Sequence, residues 1–261
     1  MYELNITRPE TLADAVEALG HDEAMALGGG QTLIPTLKQR LANPETLVSL
    51  TGIAELSGIS RDGDMLIIGG TTTHAEVASG ATDYPALAAL AGGIGDPAVR
   101  NRGTIGGSLA NDDPAACYPA AVLASGATIV TNTREIAADD FFEGMFTTAL
   151  HDGEIITAVR FPIPQKANYQ KFDQPASRFA LVGVFVAQTA DGVRVAVTGA
   201  SEEGVFRWTD AEAALSADFS PTAVDGLNVS ADNLIGDLHG TPEYRAHLVK
   251  VMTKRAVAAS G

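Results

Sequence analysis

The chain has 261 residues, of which 46% are hydrophobic and 19% charged, the composition of a soluble protein with room for one large or two to three small domains. Its formal net charge of −15 argues against nucleic acid and anionic membranes as partners, because both would be repelled. The longest apolar run, residues 179–187, is too short for membrane insertion, and the N-terminus has no signal-peptide pattern. We therefore expect a cytoplasmic protein.

Cysteine and histidine are too sparse to build a metal centre from this chain alone. Cys117 is the only cysteine, so neither an intrachain disulfide nor an iron–sulfur cluster is available. The five histidines lack the HxxxH or HxH spacing of metal ligands. We expect no metal site here, and any metal chemistry must belong to another polypeptide.

The N-terminal region is predicted to form a β-α-β unit around a glycine corner. Apolar residues repeat on one helical face over residues 11–19, and a short strand is predicted over residues 24–27. The run GGGQT at residues 28–32 follows, and leucines then recur at a four-residue step over residues 33–41. With a second strand at residues 46–50, the strands should be parallel, and the glycines should lie where the first strand turns into a helix.

A second glycine motif lies in residues 94–118, IGDPAVRNRGTIGGSLANDDPAACY, where glycines 106–107 are flanked by Thr104 and Ser108. Glycine lets a ligand approach the backbone closely, and successive N–H groups in such a turn favour anions, most often phosphate. The Ala-rich run after Pro114 is predicted to begin a helix whose free N–H groups add to this attraction. A lone Gly-Gly pair is more typical of a tight surface turn, so the motif requires a second signal.

Three familiar glycine-containing sites do not match these motifs. A dinucleotide fold needs GxGxxG and an acidic residue about twenty positions later, whereas this chain has GGGQTL and the next strand ends in Ser49-Leu50-Thr51. A P-loop needs a lysine that is missing here, and a nucleophile elbow needs GxSxG, which residues 106–110 lack. We exclude all three.

The rest of the chain is predicted to be mixed. A Thr73–Glu76 capping box should open a helix, and His74 in its first turn is interpreted as solvated and without a role. An antiparallel sheet backed by helices fits the order of elements after residue 165. Further strands are predicted over residues 65–68, 127–131, 154–161, 169–172, 179–189 and 193–198, and further helices over 85–91, 210–215, 221–225 and from Thr241-Pro242 onward.

The two glycine motifs and the C-terminal segment together resemble a known family. This is the FAD-binding, medium subunit of the molybdenum hydroxylases, the group that includes carbon monoxide dehydrogenase and xanthine dehydrogenase. The resemblance covers essentially the whole chain. It rests on LGGGQTLIPTLKQRL from residue 27, IGDPAVRNRGTIGGSLANDDPAACYPAAVLA from residue 94, SRFALVGVFVA from residue 177 and GTPEYRAHLVKVMTKRAV from residue 240.

The resemblance implies an α+β fold with a small α/β unit at the N-terminus. This is a two-domain FAD-binding fold of the PCMH type, followed by a C-terminal antiparallel sheet with helices. The implied domains are a β-α-β FAD-binding domain at 1–56, a middle α+β FAD-binding domain at 57–165, and a C-terminal domain of the carbon monoxide dehydrogenase flavoprotein type at 166–261. FAD would lie extended between the first two.

The resemblance also implies which residues bind FAD. Residues 28–32 and 104–108 match two pyrophosphate loops whose amides and hydroxyls should bind the diphosphate, and the isoleucines match positions that pack on the flavin or adenine. Cys117 stands where the family often has a carboxylate, and a thiol is a poorer acceptor for ribityl hydroxyls, so Asp113 would substitute. The implied FAD-binding residues are Gly28, Gly29, Gly30, Gln31, Thr32, Ile94, Thr104, Ile105, Gly106, Gly107, Ser108, Asn111, Asp113, Cys117, Ile156 and Lys171.

Several of these residues also have a structural interpretation. Lys171 matches a lysine near the flavin end of the cofactor but is equally typical of a solvated edge strand. Ile94 and Ile156 would be core residues in most chains. Arg100 and Arg102 flank the second motif and could face the ligand or form surface ion pairs.

The function implied by the resemblance is electron transfer in an oxidoreductase complex. A molybdenum cofactor on a large partner subunit would oxidise the substrate, and [2Fe-2S] clusters on a small partner subunit would pass electrons singly to FAD in this chain. The FAD would then pass them to an external acceptor, a quinone, NAD or oxygen. The implied assembly is a dimer of heterotrimers, and no catalytic acid or base is required in this chain.

Two alternatives stay open. The chain would be a scaffold or assembly subunit if the thiol at Cys117 marks weakened flavin binding. It would be a stand-alone flavin oxidoreductase if it carried its own substrate-binding base, for which the sequence offers no candidate.

Overall fold

The computed structural model describes residues 1–260. Within these residues, the strands form a three-stranded, a five-stranded and a four-stranded sheet and a separate two-stranded sheet. The chain therefore has the expected mixed helix-and-sheet fold. None of the helices within residues 1–260 has both the length and the apolar character needed to cross a bilayer.

The N-terminal unit is a parallel sheet in the order β1-β3-β2, and the parallel pairing of its two predicted strands is confirmed. Strand β1 was missed because it is a short edge strand whose three residues are all exposed, which leaves no apolar alternation to detect. The elements are β1 (Asn5–Thr7), α1 (Leu12–Leu19), β2 (Ala24–Leu27), α2 (Leu33–Lys38) and β3 (Thr46–Ser49).

The middle unit is an antiparallel sheet in the order β4-β5-β10-β6-β7 with helices packed against it. The predicted capping box is present, because the Thr73 hydroxyl accepts from the Glu76 N–H and the Glu76 carboxylate accepts from the Thr73 N–H. The elements are β4 (Ile59–Asp62), β5 (Met65–Gly69), α3 (His74–Gly80), α4 (Pro85–Gly92), α5 (Pro97–Arg100), α6 (Ile105–Asn111), α7 (Tyr118–Ser125), β6 (Thr128–Thr131), β7 (Glu135–Ala137), β8 (Phe142–Gly144), β9 (Thr147–Thr148) and β10 (Ile156–Pro162).

Helix α7 begins later than the sequence suggests, at Tyr118 rather than just after Pro114. The delay has a local cause, because the Asp113 carboxylate and carbonyl accept hydrogen bonds from the Ala115 and Ala116 N–H groups at 2.9 and 2.8 Å. These bonds hold a turn in place of the first helical turn. Every residue of α7 is buried, so this helix forms the centre of the core rather than a free helix end facing a ligand.

The C-terminal unit is an antiparallel sheet in the order β11-β12-β13-β14. Its antiparallel character and first three strands were predicted, whereas β14 was not. Successive residues of β12 pack into two different cores, Phe185 into the one around α7 and Val184 and Val186 into the one under α9. A strand covered on both faces explains the long unbroken apolar run in the sequence. The elements are β11 (Lys166–Asp173), β12 (Ala180–Thr189), β13 (Gly192–Ser201), β14 (Gly204–Arg207), α8 (Thr209–Ala217) and α9 (Pro242–Ala259).

The three larger sheets take their strands from successive stretches of chain, residues 5–49, 59–162 and 166–207. Each stretch falls inside one of the three domains proposed from the sequence. The domain boundaries themselves stay a prediction.

Candidate functional site

A cleft with a volume of about 460 Å³ lies where all three units meet. It is lined by the end of β2 and the glycine corner after it, by residues 94–117, by residues 150–156 and by the loop before β12, residues 177–179. Of the residues predicted to bind FAD, all except Ile105 and Lys171 line this cleft. A volume of several hundred Å³ and convergence of several chain segments are typical of a small-molecule or cofactor site.

The two glycine motifs meet inside the cleft. A Cβ built on Gly28 would lie 3.0 Å from the Thr104 hydroxyl, and one on Gly29 would lie 1.9 Å from the Arg102 carbonyl oxygen. A contact below 3 Å with backbone cannot accommodate a side chain, so only glycine permits the approach at position 29. The motifs are distant in sequence, and this contact makes them two sides of one site.

The first motif offers a series of unpaired backbone donors. Within residues 1–260, the N–H groups of residues 28–32 donate to no protein acceptor. Gly30 has a positive φ of 71°, which turns the backbone at the start of α2. Successive free N–H groups in such a turn form a concavity that binds anions, and a diphosphate is a suitable ligand.

The second motif differs from its prediction, because its glycines form the first turn of α6 rather than an open loop. Thr104 is the N-cap, and its hydroxyl accepts from the Gly107 N–H. The N–H groups of Ile105, Gly106, Gly107 and Ser108 donate to the Thr72 carbonyl, the Gly70 carbonyl, the Thr104 hydroxyl and the Thr104 carbonyl, at 3.1, 2.8, 3.1 and 3.0 Å. The expectation that these amides bind a ligand is therefore corrected, and the hydroxyl hydrogens of Thr104 and Ser108 are the donors that this side can offer.

The isoleucines have different positions. Ile94 and Ile156 line the cleft and also pack against the middle core, and their predicted contact with flavin or adenine stays a prediction. Ile105 is fully buried in that core and does not face the cleft, which corrects its assignment as a contact residue.

Asn111, Asp113 and Cys117 all line the cleft. The Asp113 carboxylate is committed in part to the Ala115 N–H, at 2.9 Å. Burial raises the pKa of the Cys117 thiol, and the nearby Lys171 amine opposes this shift only in part. A neutral thiol is therefore expected here at neutral pH.

Lys171 is not a solvated edge residue, because its side chain is only 9% exposed. Its amine donates to the Gly93 and Arg178 carbonyls at 2.8 and 2.6 Å, pairs with the Asp173 carboxylate at 3.0 Å, and lies 3.7 Å from the Cys117 sulfur. Lys171 thus stands directly behind the cleft wall and ties α4 to the loop between β11 and β12. Its predicted contact with flavin stays a prediction.

On the sequence alone, Arg100 and Arg102 could face the ligand or form surface ion pairs. The structure gives both arginines a different role. The Arg100 guanidinium donates to the Ile94 and Gly95 carbonyls at 3.0 and 2.9 Å, so it holds the turn before α5. Arg102 contributes through its backbone, which contacts Gly29. The sequence did not indicate either role because both depend on backbone groups.

His74 and Glu154 are among the cleft residues that were not identified from the sequence. His74 is 5% exposed and lines the cleft, which corrects its interpretation as a solvated residue. Burial first and the Arg100 charge second lower its pKa to about 4, so its imidazole is neutral at neutral pH. Its capping box was visible in the sequence, but its burial arises from segments distant along the chain.

Glu154 also lines the cleft, within the segment of residues 150–156. Its carboxylate accepts from the Arg134 guanidinium at 3.0 Å, from the Thr131 and Thr133 hydroxyls at 2.7 and 2.8 Å, and from the His151 N–H at 2.8 Å. These bonds, led by those from Arg134, lower the pKa of Glu154, and they fix the segment that carries Ile155 and Ile156.

Comparisons with known proteins agree with this geometry. The family model described as the FAD binding domain in molybdopterin dehydrogenase matches residues 2–164. The nicotine 6-hydroxylase medium subunit of Paenarthrobacter nicotinovorans is 35% identical, over 97% of this chain and 95% of the relative, and the carbon monoxide dehydrogenase medium chain of Afipia carboxidovorans is 33% identical, over 96% and 94%. Among solved structures, a chain of carbon monoxide dehydrogenase from Hydrogenophaga pseudoflava matches with a TM-score of 0.88 and 31% identity, over 99% of this chain and 97% of that chain.

Proposed function

This chain belongs to the family of FAD-binding domains in molybdopterin dehydrogenases, and from that premise we propose that it is the electron-transfer subunit of a molybdenum hydroxylase complex. It is an FAD-binding medium subunit of an oxidoreductase. The observation that carries the proposal is the meeting of two glycine motifs at one cleft, with a run of unpaired N–H groups on one side.

The residues present fit FAD. The free N–H groups of residues 28–32 match the negative charge of a diphosphate, and the glycine at position 29 lets this motif pack directly on the backbone of residues 102–103. The hydroxyls of Thr104 and Ser108 face the same cleft from the other side. When bound, FAD supplies the ability to accept and release electrons one or two at a time.

The chain's own contribution is to bind the cofactor, orient it and exclude water. Ile94, Val99 and Ile156 give the cleft apolar walls that favour flat ring systems. The bonds made by Lys171 and Glu154 hold two of the wall segments in place. No residue of the chain is required to transfer a proton for electron transfer to occur.

We also propose the partners. The medium subunit of nicotine 6-hydroxylase and the medium chain of carbon monoxide dehydrogenase are by name parts of larger complexes. By analogy, a small iron–sulfur subunit would deliver electrons to this chain and a large molybdenum subunit would oxidise the substrate, in a cytoplasmic dimer of heterotrimers. The external acceptor would be a quinone, NAD or oxygen.

A second candidate is a scaffold subunit with weakened flavin binding. Two observations favour it, the thiol of Cys117 at a position where the family often has a carboxylate, and the pairing of the second motif's amides inside the protein. The two candidates differ in a simple property, since only the first requires tight flavin binding.

The test is reconstitution of the purified full chain with FAD, followed by measurement of protein-bound flavin absorbance. We expect wild type to retain flavin, and Gly107→Val to lose it while staying folded, because Gly107 is exposed and a Cβ there contacts only the Thr104 hydroxyl. Gly226→Val is the matched control, since nothing lies within 4 Å of a Cβ at that glycine. Full flavin retention by Gly107→Val would contradict the site, and a flavin-free wild type that still joins its complex would favour the scaffold.

A further inference from the structure

His74 differs from the other histidines of the described chain. It is buried, whereas His21, His151, His239 and His247 are exposed. It also lines the cleft, at the start of α3. A buried histidine in the wall of a ligand cleft has either a packing role or a ligand-binding role, and the contacts of its ring distinguish the two.

The imidazole lies immediately behind the meeting point of the glycine motifs. A Cβ built on Gly103 would lie 2.5 Å from the His74 Nε2 atom. The backbone N–H of His74 donates to the Gly103 carbonyl at 2.9 Å. Gly103 is also a residue on which Gly29 packs, because a Cβ on Gly29 would lie 2.6 Å from the Gly103 Cα. The ring is therefore separated from the first motif by a single glycine.

The ring nitrogens have no protein partner. Within residues 1–260, neither nitrogen of His74 forms a hydrogen bond, and Nδ1 is completely buried. The Tyr118 ring packs on the imidazole with centroids 5.3 Å apart, but the Tyr118 hydroxyl is itself buried without a partner. Nδ1 is closed to solvent and to a cleft ligand alike, so the ring nitrogen that a ligand can reach is Nε2, which has no protein partner among the described residues. Polar groups of largely buried side chains are almost always hydrogen-bonded, so the unpaired Nε2 in a cleft wall indicates a bond completed by a ligand.

We propose that His74 contacts the bound dinucleotide directly, forming a hydrogen bond to its diphosphate segment between the two glycine motifs. This inference rests on the proposed function and extends it by one binding residue. The neutral imidazole carries one N–H donor and one acceptor nitrogen, so it can donate to a phosphate oxygen without a full charge. His74 would thus supply one of the donors that the paired amides of α6 do not offer.

The first measurement is the affinity of the full chain for FAD. His74→Phe preserves the bulk and the contact with Tyr118 but removes both nitrogens, and we expect it to weaken FAD binding about tenfold, the effect of one lost hydrogen bond. His74→Gln, which keeps a donor, should lose less affinity than His74→Phe. His247→Phe, at an exposed position on α9, is the control and should leave affinity unchanged.

The second measurement needs no variant to fold. In a long-range nitrogen–hydrogen NMR spectrum, the ring nitrogens of His74 should show a neutral imidazole at pH 6, because its pKa is lowered to about 4. Addition of ADP or FAD should shift its ring nitrogens, and riboflavin, which lacks phosphate, should not.

The outcomes separate this inference from the proposed function. If wild type binds no FAD, the proposed function fails and the inference fails with it. If wild type binds FAD but His74→Phe binds equally well and the ring nitrogens do not respond, the function stands and His74 is only a packing residue. A response to riboflavin but not to ADP would also overturn the assignment to the diphosphate.

Discussion

The backbone of Gly29 packs on the carbonyl of Arg102 so closely that a Cβ on Gly29 would lie 1.9 Å from the carbonyl oxygen. Gly29 follows a strand of the N-terminal parallel sheet, whereas Arg102 precedes the N-cap of α6 in the middle unit. The contact joins the two units through backbone alone. It also places the free N–H groups of the first motif opposite the hydroxyls of the second.

The two neighbouring glycines should therefore respond differently to the same substitution. Gly29→Ala must displace the backbone at residues 102–103, so we expect it to lower the free energy of unfolding by about 1–3 kcal/mol and to reduce FAD binding. A Cβ on Gly28 meets the Thr104 hydroxyl at 3.0 Å and the Gly107 Cα at 3.8 Å, which are much less severe contacts, so Gly28→Ala should cost less stability. Urea unfolding of both variants measures the difference, and equal stabilities would show that the Gly29–Arg102 contact is not close.

The position of Lys171 leads to a prediction about the loop between β11 and β12. Lys171→Met leaves the Gly93 and Arg178 carbonyls without their charged donor, so we expect faster amide hydrogen exchange in residues 174–179 and a loss of about 1–3 kcal/mol in stability. Lys166→Met is the control, because Lys166 is exposed on the same strand and its amine only lies over the Phe219 ring, 5.8 Å from the centroid. Unchanged exchange in Lys171→Met would show that the lysine does not hold this loop.

The elements that were predicted correctly from the sequence are those determined by residues adjacent in the chain. The strand, the glycines and the repeated leucines of residues 24–41 are adjacent in the chain, so the corner between β2 and α2 follows from them. The capping box at Thr73 is local in the same way.

The features that were missed depend on distant segments. Two consecutive glycines disfavour a helix, yet α6 forms around Gly106 and Gly107, and a Cβ on Gly106 would lie 2.6 Å from the Gly70 carbonyl oxygen. His74 is buried by Gly103 and Tyr118, which no helical periodicity connects to it. The meeting of the two glycine motifs was expected only from the family resemblance, because no spacing rule predicts that contact.

Asp112 ends α6 in a left-handed conformation with a φ of 41°. It is 1% exposed, and both carboxylate oxygens are buried without a hydrogen-bond partner. Burial first and the Asp113 charge second raise its pKa to about 7, well above the value of an exposed aspartate. The folded protein therefore binds a proton that the unfolded chain releases at about pH 4.

This difference fixes the direction of the pH dependence. Because the native state holds the extra proton between about pH 4 and pH 7, the contribution of Asp112 to stability falls as the pH rises through that window and is lowest above it. Asp112→Asn removes the charge and keeps a residue that tolerates positive φ, so we expect it to stabilise the protein at pH 8 by about 1–3 kcal/mol and to have a clearly smaller effect at pH 5. Urea unfolding at both values measures this, with Asp64→Asn, whose side chain is fully exposed, as the control. A variant that is no more stable than wild type at pH 8 would mean that the Asp112 carboxylate is solvated or paired in the native protein, because only an unpaired buried charge gains from neutralisation.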